Sequence, residues 1–318
     1  MSSITTRVTE VVDETPSIRS LRLVREDGRP LGPYAAGAHI DVVGPTGVTR
    51  QYSLCGPPDD AGSALIAVKR EPDSRGGSLA LHGVAVGDRL TISEPRNLLG
   101  LVEDAERHVL VAGGIGVTPL LSMSYALHGQ STPFELHYFA RSREEAAFAA
   151  FLEGDAGFSD HVRLHLGLDL GEQTRVLAQI AAETTPTAHV YTCGPLPFMT
   201  QVTETFAAVV GDDRVHLEHF VAQEVDTSAD SAFTVELDTG ETFEIPADRS
   251  ILSVLVDNGI EVFRSCEEGI CGSCVSGVLA GEPEHRDNCL SAADRAAGDQ
   301  MALCVSRARS DRLVIELY

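Results

Sequence analysis

Three closely spaced cysteines carry the clearest chemical signal in the chain. Cys266, Cys271 and Cys274 follow the pattern C-x4-C-x2-C, which is typical of a [2Fe–2S] cluster whose two irons take four thiolates. Gly269 and Gly272 suit such a loop, because small residues let the backbone bend closely around the bridging sulfides. Zinc is the rival metal, but no second C-x2-C and no histidine pair follows. The loop therefore predicts an iron–sulfur site with three local ligands and a fourth from elsewhere.

Two later cysteines compete for the fourth position. Cys304 lies in "MALCVSRA", a short apolar run that could face the loop. Cys289 lies in "EHRDNCLSAAD", whose polar character predicts a surface position just before a helix with Ser291 as its N-cap. The spacing alone leaves both open. Cys55 and Cys193 stand alone upstream, and Cys55 is interpreted as a packed thiol.

Two segments near the N-terminus could bind a flavin phosphate and ring. "RQYSLCGPP" offers Arg50 for a phosphate, Tyr52 for stacking and Ser53 for a ring nitrogen. "AVKREPDSRGGSLALH" offers Arg75 and Ser78 around two glycines ahead of a predicted helix, where free amides bind phosphate. The first motif is weak by itself, because Arg-x-Tyr-Ser occurs by chance in many strands.

Two further segments could bind a dinucleotide. "HVLVAGGIGVTPLLSM" is a buried strand, a glycine turn and a helix. It lacks the full G-x-G-x-x-G fingerprint, because Pro119 takes the place of the last glycine, yet a proline is favourable in a first helical turn. "VYTCGPLPFM" runs a second strand into a Gly-Pro turn at the edge where α/β sheets bind ligands. A glycine-rich packing turn and a core thiol at Cys193 are the alternatives.

The surrounding patterns predict three domains. Short alternating apolar segments over residues 1–100 predict an antiparallel barrel or sandwich. Alternating strands and helices over 101–222 predict a parallel α/β sheet. Residues 223–232 are polar, acidic and without periodicity, which indicates a linker. Residues 233–318 predict a hairpin, a helix, the cysteine loop and a closing strand.

Composition excludes several classes of function. The chain has 318 residues with 47 Asp and Glu against 24 Lys and Arg, a net charge of -23. Such acidity argues against a nucleic-acid partner. No apolar run is long enough to span a membrane, and no signal peptide is readable at the N-terminus, so we expect a cytoplasmic protein with reduced thiols.

The four motifs, taken in order, resemble the phthalate dioxygenase reductase family over nearly the whole chain. The segment 266–309, with "GEPEHRD" and "LCVSRA", resembles that family's C-terminal ferredoxin domain. The pair "GGIGVTP" and "YTCGP" is similar to the NAD(P)H domain of ferredoxin reductases. The resemblance implies a multidomain fold of a flavin-binding antiparallel β-barrel, a parallel α/β nucleotide-binding domain and a β-grasp ferredoxin domain.

The resemblance also implies roles for individual residues. The expected cluster ligands are Cys266, Cys271, Cys274 and Cys304, which leaves Cys289 as a spare thiol. Residues expected near the reacting rings are Ser53, Cys193 and Phe220. The expected flavin contacts are Arg50, Gln51, Tyr52, Ser53, Ala67, Val68, Lys69, Arg75, Gly76, Gly77 and Ser78. The expected nicotinamide dinucleotide contacts are Gly113, Gly114, Gly116, Thr118, Pro119, Arg141, Cys193, Gly194 and Pro195.

The implied activity is electron transfer from NADH through FMN and a [2Fe–2S] cluster to a terminal oxygenase. FMN is preferred to FAD because the turn after Gly77 is short and leaves no extra loop for an adenine. NADH is preferred to NADPH because Glu144 and Glu145 would repel a 2′-phosphate that Arg141 or Arg143 could otherwise bind. A Rieske oxygenase is the expected partner of a monomeric reductase, and its docking is expected to be steered by the acidic ferredoxin surface. The alternatives are a cytochrome P450 partner, a redox sensor and a flavin-releasing reductase.

Overall fold

The computed structural model describes residues 3–72, 76–222 and 226–317. The chain forms two compact units, Met1–Glu218 and His219–Tyr318. Among the described residues, no helix is long and apolar enough to cross a lipid bilayer.

The N-terminal half of the first unit is a six-stranded antiparallel sheet with the strand order β4-β3-β6-β1-β2-β5. An isolated bridge between Leu54 and Ile66 joins its two ends, which gives a barrel. Along β1, buried Ile4, Thr6 and Val8 alternate with exposed neighbours, as a strand with one face in the core requires. The elements are β1 (Ser3–Asp13), β2 (Ile18–Arg25), β3 (His39–Val43), β4 (Thr49–Ser53), β5 (Ala64–Lys69), α1 (Gly77–Leu81) and β6 (Arg89–Ser93). The predicted antiparallel barrel is confirmed.

The rest of the first unit is a five-stranded parallel sheet with the order β11-β10-β7-β8-β9, so the predicted α/β fold is confirmed. Every residue of its central strand is buried, which is why "HVLVAG" is continuously apolar apart from its first residue. The elements are β7 (His108–Gly113), α2 (Val117–Gly129), β8 (Phe134–Ala140), α3 (Ala149–Gly154), β9 (Val162–Leu166), α4 (Leu170–Glu183), β10 (His189–Cys193), α5 (Leu196–Val210) and β11 (Val215–Glu218).

One predicted helix in this domain is wrong in extent. The segment "REEAAFAAFLE" does not form one helix but a 3-10 turn at Arg143–Glu145 and the short helix α3. The break comes at Phe148, which has a φ of 62° and whose amide donates to the Glu14 carboxylate of the barrel. Ala147 and Phe148 turn into a core shared with barrel residues such as Ile18. Burial of these apolar side chains outweighs the helical preference of the segment.

The second unit is a β-grasp fold, in which one helix covers a mixed five-stranded sheet of order β13-β12-β18-β14-β16. Helix α6 buries Ile251, Leu252, Val254 and Leu255 against it, and the Ser250 side chain caps its N-terminus. The elements are β12 (Phe233–Leu237), β13 (Thr242–Ile245), α6 (Ile251–Asp257), β14 (Val275–Ala280), β15 (Pro283–Glu284), α7 (Ala292–Ala297), β16 (Gln300–Ala302), β17 (Arg307–Ala308) and β18 (Arg312–Glu316). Ser291 caps α7 through a capping box, as predicted.

Each strand of the parallel sheet carries one histidine, and four of the five form two pairs. His137 Nδ1 lies 3.2 Å from His165 Nε2, and His189 Nδ1 lies 2.9 Å from His216 Nε2. Burial, and then the charge of the paired histidine, lowers the pKa of His165 and of His216 from 6.5 to about 4. Both pairs therefore stay uncharged in the folded protein at neutral pH.

The lowered pKa values of these histidines predict that acid destabilises the first unit. The unfolded chain binds more protons than the folded chain between pH 6.5 and about 4, so stability is full above this window and falls as the pH falls through it. The free energy of unfolding is measured by urea titration followed by circular dichroism. Between pH 7 and pH 5 it should fall by about 1 kcal/mol less in His165→Gln than in the wild type, a figure that allows for the partial exposure of the ring. The exposed His128→Gln serves as control, and equal losses in the wild type and His165→Gln would contradict the prediction.

Candidate functional site

The strand and the turn predicted to clasp a flavin lie against each other. Arg50 and Tyr52 are on β4, and the turn at Gly76 leads into α1. A Cβ added to Gly77 would lie 3.1 Å from Arg50 Cγ. Glycine at this position therefore lets the backbone lie close to the arginine side chain. Gly76 has a φ of 102°, a conformation that favours glycine. A basic side chain beside the amides of a helix start fits a phosphate group. Arg75 lies outside the described residues.

The other predicted flavin residues differ in how they are engaged. Tyr52 packs against the barrel core, and burial raises its pKa to about 12. Gln51 Nε2 donates to Asp41 Oδ1 at 2.9 Å, and Lys69 Nζ forms an exposed ion pair with Glu71 at 2.8 Å. Ala67 and Val68 are buried in β5, and the Ser78 hydroxyl accepts the Glu71 amide. Arg50 Nη1 also donates to the Thr49 carbonyl oxygen, at 2.7 Å. The flavin contacts of Arg50 and Tyr52 stay a prediction.

A buried polar cluster lies where the barrel meets the carboxyl edge of the parallel sheet. Ser53 ends β4, Cys193 ends β10 and Glu218 ends β11, with Cys193 and Glu218 in register. The Ser53 hydroxyl is hydrogen-bonded to the Glu218 carboxyl group, and burial raises the pKa of this carboxyl to about 8. Burial, and then the nearby Glu218, raises the pKa of the Cys193 thiol. Two predicted residues, Ser53 and Cys193, are thus brought together.

Glu218 and His39 are two members of this cluster that the sequence did not reveal. His39 begins β3 and is the cross-strand partner of Ser53. Its Nδ1 lies 3.8 Å from Glu218 Oε1, and the His39 and Glu218 side chains are only 4% and 10% exposed. The available signal was an acidic residue as the last residue of a strand at the ligand-binding edge of a parallel sheet.

The predicted dinucleotide turn contains glycines with different roles. A Cβ on Gly116 would lie 2.1 Å from the Cys193 carbonyl oxygen, and one on Gly113 would lie 2.8 Å from Phe198. These two positions need glycine for packing, as the alternative interpretation held. Gly114 has a φ of 56° and would meet nothing within 4 Å, so it leaves space for a ligand at the turn.

The remaining residues of this turn hold the two loops in place. The Thr118 hydroxyl donates to the Ile115 carbonyl oxygen at 3.0 Å, and Pro119 lies in the first turn of α2. A Cβ added to Gly194 would lie 3.0 Å from both the α-carbon and the carbonyl oxygen of Gly113. Pro195 is the N-cap of α5. The turns after β7 and β10 are therefore in direct backbone contact, as a shared dinucleotide site requires.

The two arginines predicted as candidates for the adenosine end differ in their partners. Both Arg143 terminal nitrogens donate to the Glu153 carboxylate, one of them at 2.6 Å. Arg141 is exposed just after β8 and is the candidate that this pairing leaves for a dinucleotide contact. Phe220 is 37% exposed and belongs to the second unit. Its predicted contact with the flavin remains a prediction.

The four cysteines predicted as cluster ligands converge in the second unit, and each is no more than 8% exposed. Their thiols hydrogen-bond in two pairs, Cys266 with Cys271 and Cys274 with Cys304. Among the described residues, no three His, Cys, Asp or Glu side chains form a site for a single metal ion. Two pairs of thiols instead fit a two-iron cluster with two thiolates on each iron.

Backbone amides surround these sulfurs. The amide of Gly269 donates to Cys304 Sγ at 3.2 Å, that of Glu268 to Cys266 Sγ at 3.3 Å, and that of Ser273 to Cys271 Sγ at 3.4 Å. N–H donors of this kind stabilise the negative charge of thiolates and help to set a cluster potential. The loop therefore fits the cluster in both its ligands and its donors.

The prediction of a surface position for Cys289 is wrong. This residue is half-buried against the core of the second unit, and its thiol donates to Asp287 Oδ2 at 3.4 Å. Burial, and then the Asp287 charge, raises the pKa of the Cys289 thiol. The polar residues around Cys289 indicated a surface position, but one of them, Asp287, is itself buried. Cys55 is fully buried, with its thiol 3.4 Å from the Leu65 carbonyl oxygen, as predicted for a packed thiol.

Three features together define a class, the flavin- and iron–sulfur-dependent nicotinamide oxidoreductases. They are an antiparallel barrel with a candidate phosphate site, a parallel sheet with a candidate dinucleotide turn, and a β-grasp unit with four paired cysteines. Residues 235–309 match the family model of the 2Fe-2S iron-sulfur cluster binding domain. Vanillate O-demethylase oxidoreductase of Pseudomonas sp. (strain HR199) is 45% identical over 94% of this chain and 95% of its own.

Two solved structures are also similar. Phthalate dioxygenase reductase, described as a modular structure for electron transfer from pyridine nucleotides to [2Fe-2S], has a TM-score of 0.73 and 37% identity over 99% of this chain and 98% of its own. An intact type IV self-sufficient cytochrome P450 monooxygenase has a TM-score of 0.87 and 38% identity over 98% of this chain and 41% of its own. The chain belongs to the phthalate dioxygenase reductase family, whose cofactors are FMN, NADH and a [2Fe–2S] cluster.

Proposed function

We propose that this protein is the reductase component of a Rieske-type oxygenase that hydroxylates an aromatic ring or removes an O-methyl group. Support comes from the similarity to vanillate O-demethylase oxidoreductase along almost the full length of both chains. The observation that carries the proposal is that the polar cluster around the buried Ser53 and Cys193 and a site of four buried cysteines occur on one chain. A flavin takes two electrons from NADH and releases them singly, as a one-electron cluster requires.

The proposed site residues position different parts of the flavin and the nicotinamide. Arg50 and the amides near Gly76 hold the flavin phosphate, and Tyr52 packs against the ring. Ser53 and Cys193 lie at the junction where the nicotinamide and flavin rings would meet. Because hydride transfer needs no separate nucleophile, the alignment of the two rings is the main contribution of these side chains to the rate.

The test pairs the purified holoprotein with purified terminal oxygenases. With NADH and an aromatic O-demethylase oxygenase of the Rieske type, we expect oxygen uptake matched by the demethylated product. A bacterial cytochrome P450 is the parallel arm, because this chain matches 41% of the chain of a self-sufficient cytochrome P450 monooxygenase. Equal or faster turnover with the P450, or NADH oxidation that no oxygenase accelerates, would overturn the proposal.

Salt dependence tests how the partner docks. With a net charge of -23, the reductase should be steered towards a basic patch on the oxygenase. We expect the second-order rate of oxygenase reduction to fall at least severalfold between low and high ionic strength, because salt screens exposed charges. Reduction of the reductase by NADH serves as the internal control. A docking rate that does not change with salt would contradict electrostatic steering.

A further inference from the structure

His39 is a buried histidine at the start of β3. It is 3% exposed, and neither ring nitrogen has a partner among the described residues, although its backbone is paired with Arg96. Buried polar groups are normally paired, so an orphaned imidazole needs an explanation. An apolar side chain of similar size would fill the position of His39 equally well if packing were its only role.

Glu218 is an ionisable group that lies close to this ring. Glu218 Oε1 is 3.8 Å from His39 Nδ1, and Glu218 Oε2 also lacks a hydrogen-bond partner among the described residues. The separation is too long for a direct hydrogen bond, and one water or a small rotation of either side chain would bridge it. The two orphaned groups therefore face each other across the junction between the barrel and the parallel sheet.

The other groups around the pair are already engaged. Arg96 Nη2 is 2.7 Å from Asp41 Oδ1, which satisfies both charges beside His39. On the far side of Glu218 are the uncharged Ser53 hydroxyl and the buried Cys193 thiol. No charge in this surrounding set is left to balance Glu218 when it ionises, so the balancing cation must come from His39.

We propose that His39 is a positioning residue for Glu218, and that the two side chains share one proton beside the site of hydride transfer. When the proton is on the carboxyl group, both residues are neutral. When it moves to the imidazole, a carboxylate and an imidazolium form, and the pair keeps a net charge of zero. Glu218 can thus give up or regain a proton in a buried site without leaving an unbalanced charge.

Two pKa shifts indicate where the proton lies at rest. Burial raises the pKa of Glu218 to about 8, and burial followed by the charge of Arg96 lowers the pKa of His39 to about 4. The neutral form of the pair is thus the resting form at pH 7. The inference rests on the proposed flavin position only for its role in the reaction, because the shared proton itself can be measured in the oxidised protein.

The experiment is an infrared titration of the oxidised holoprotein, without NADH or any oxygenase. Glu218→Gln identifies the band of the protonated Glu218 carboxyl group. His39→Leu removes the ring that stabilises the ionised carboxyl, so the band should persist to a pH at least one unit higher, a tenfold change in proton affinity. His39→Gln keeps a hydrogen-bond donor and should shift the midpoint less than His39→Leu does.

An unchanged midpoint in His39→Leu, or equal shifts in both variants, would overturn the inference. If His39→Leu does not fold, NMR with labelled histidine replaces the infrared titration. The chemical shifts of the His39 ring should differ between the wild type and Glu218→Gln. Unchanged shifts would also overturn the inference. Failure of oxygenase reduction would leave this titration unaffected, so the two proposals can fail separately.

Discussion

Replacing Cys304 by serine is expected to remove most of the [2Fe–2S] cluster from the purified protein. Cys304 is one of four buried thiols, its partner in the pairing is Cys274, and it accepts the Gly269 amide at 3.2 Å. A serine oxygen is a harder and less readily ionised ligand, and the three remaining thiolates cannot complete two tetrahedral irons. We expect a loss of about tenfold or more in bound iron and sulfide, since even outer-shell changes cost this much in metal affinity. Any residual cluster should have an altered electron paramagnetic resonance spectrum.

Cys289→Ser is the matched control for this experiment. Cys289 lies in the same unit and is half-buried, but its thiol donates a hydrogen bond to Asp287 rather than pairing with a ligand cysteine. Iron, sulfide and the visible spectrum should therefore remain as in the wild type, while flavin content should be normal in both variants because the flavin residues belong to the first unit. A cluster retained in Cys304→Ser and lost in Cys289→Ser would reverse the ligand assignment.

The contrast between these two cysteines shows where a sequence pattern stops being informative. The C-x4-C-x2-C spacing is local, so it predicts three ligands directly. The fourth is chosen by strand pairing: Val275 of β14 is in register with Ala302 of β16, and the Leu303 amide donates to the Cys274 carbonyl oxygen at 3.2 Å. That register carries Cys304 to Cys274. No spacing rule contains this register, and the prediction of Cys304 as the fourth ligand rests on the family resemblance.

The buried polar cluster also shows what a sequence pattern cannot predict. The apolar pattern of β10 predicted the strand that ends in Cys193, and the "RQYSLCGPP" motif made Ser53 a candidate flavin contact. His39 and Glu218 are 179 positions apart in the sequence numbering, and they meet only because the barrel packs on the carboxyl edge of the parallel sheet. A lone histidine and a lone glutamate carry no periodic signal, so their pairing is visible only in three dimensions.

The second large effect is expected at Gly116, where alanine should destabilise the first unit and disturb the dinucleotide site together. A Cβ there would lie 2.1 Å from the carbonyl oxygen of Cys193, 2.3 Å from its carbonyl carbon and 2.6 Å from the amide nitrogen of Gly194. These are backbone atoms of the turn after β10, so no side-chain rotation relieves the overlap. The turns after β7 and β10 must move apart, at a cost of about 3 kcal/mol or more in the free energy of unfolding.

The other end of the same helix provides the control. Gly129 is the last residue of α2, and a Cβ there would meet nothing within 4 Å. Gly129→Ala should therefore be neutral or stabilise the protein by about 0.5 kcal/mol, since alanine costs less backbone entropy in a helix than glycine. Urea unfolding measures both variants, and the Michaelis constant for NADH reports on the turn. If Gly116→Ala kept wild-type stability but lost NADH affinity, Gly116 would serve ligand approach rather than the packing of the two turns. Loss of both is the expected result, because a glycine pressed against the Cys193 carbonyl cannot change without moving the residue at the centre of the junction.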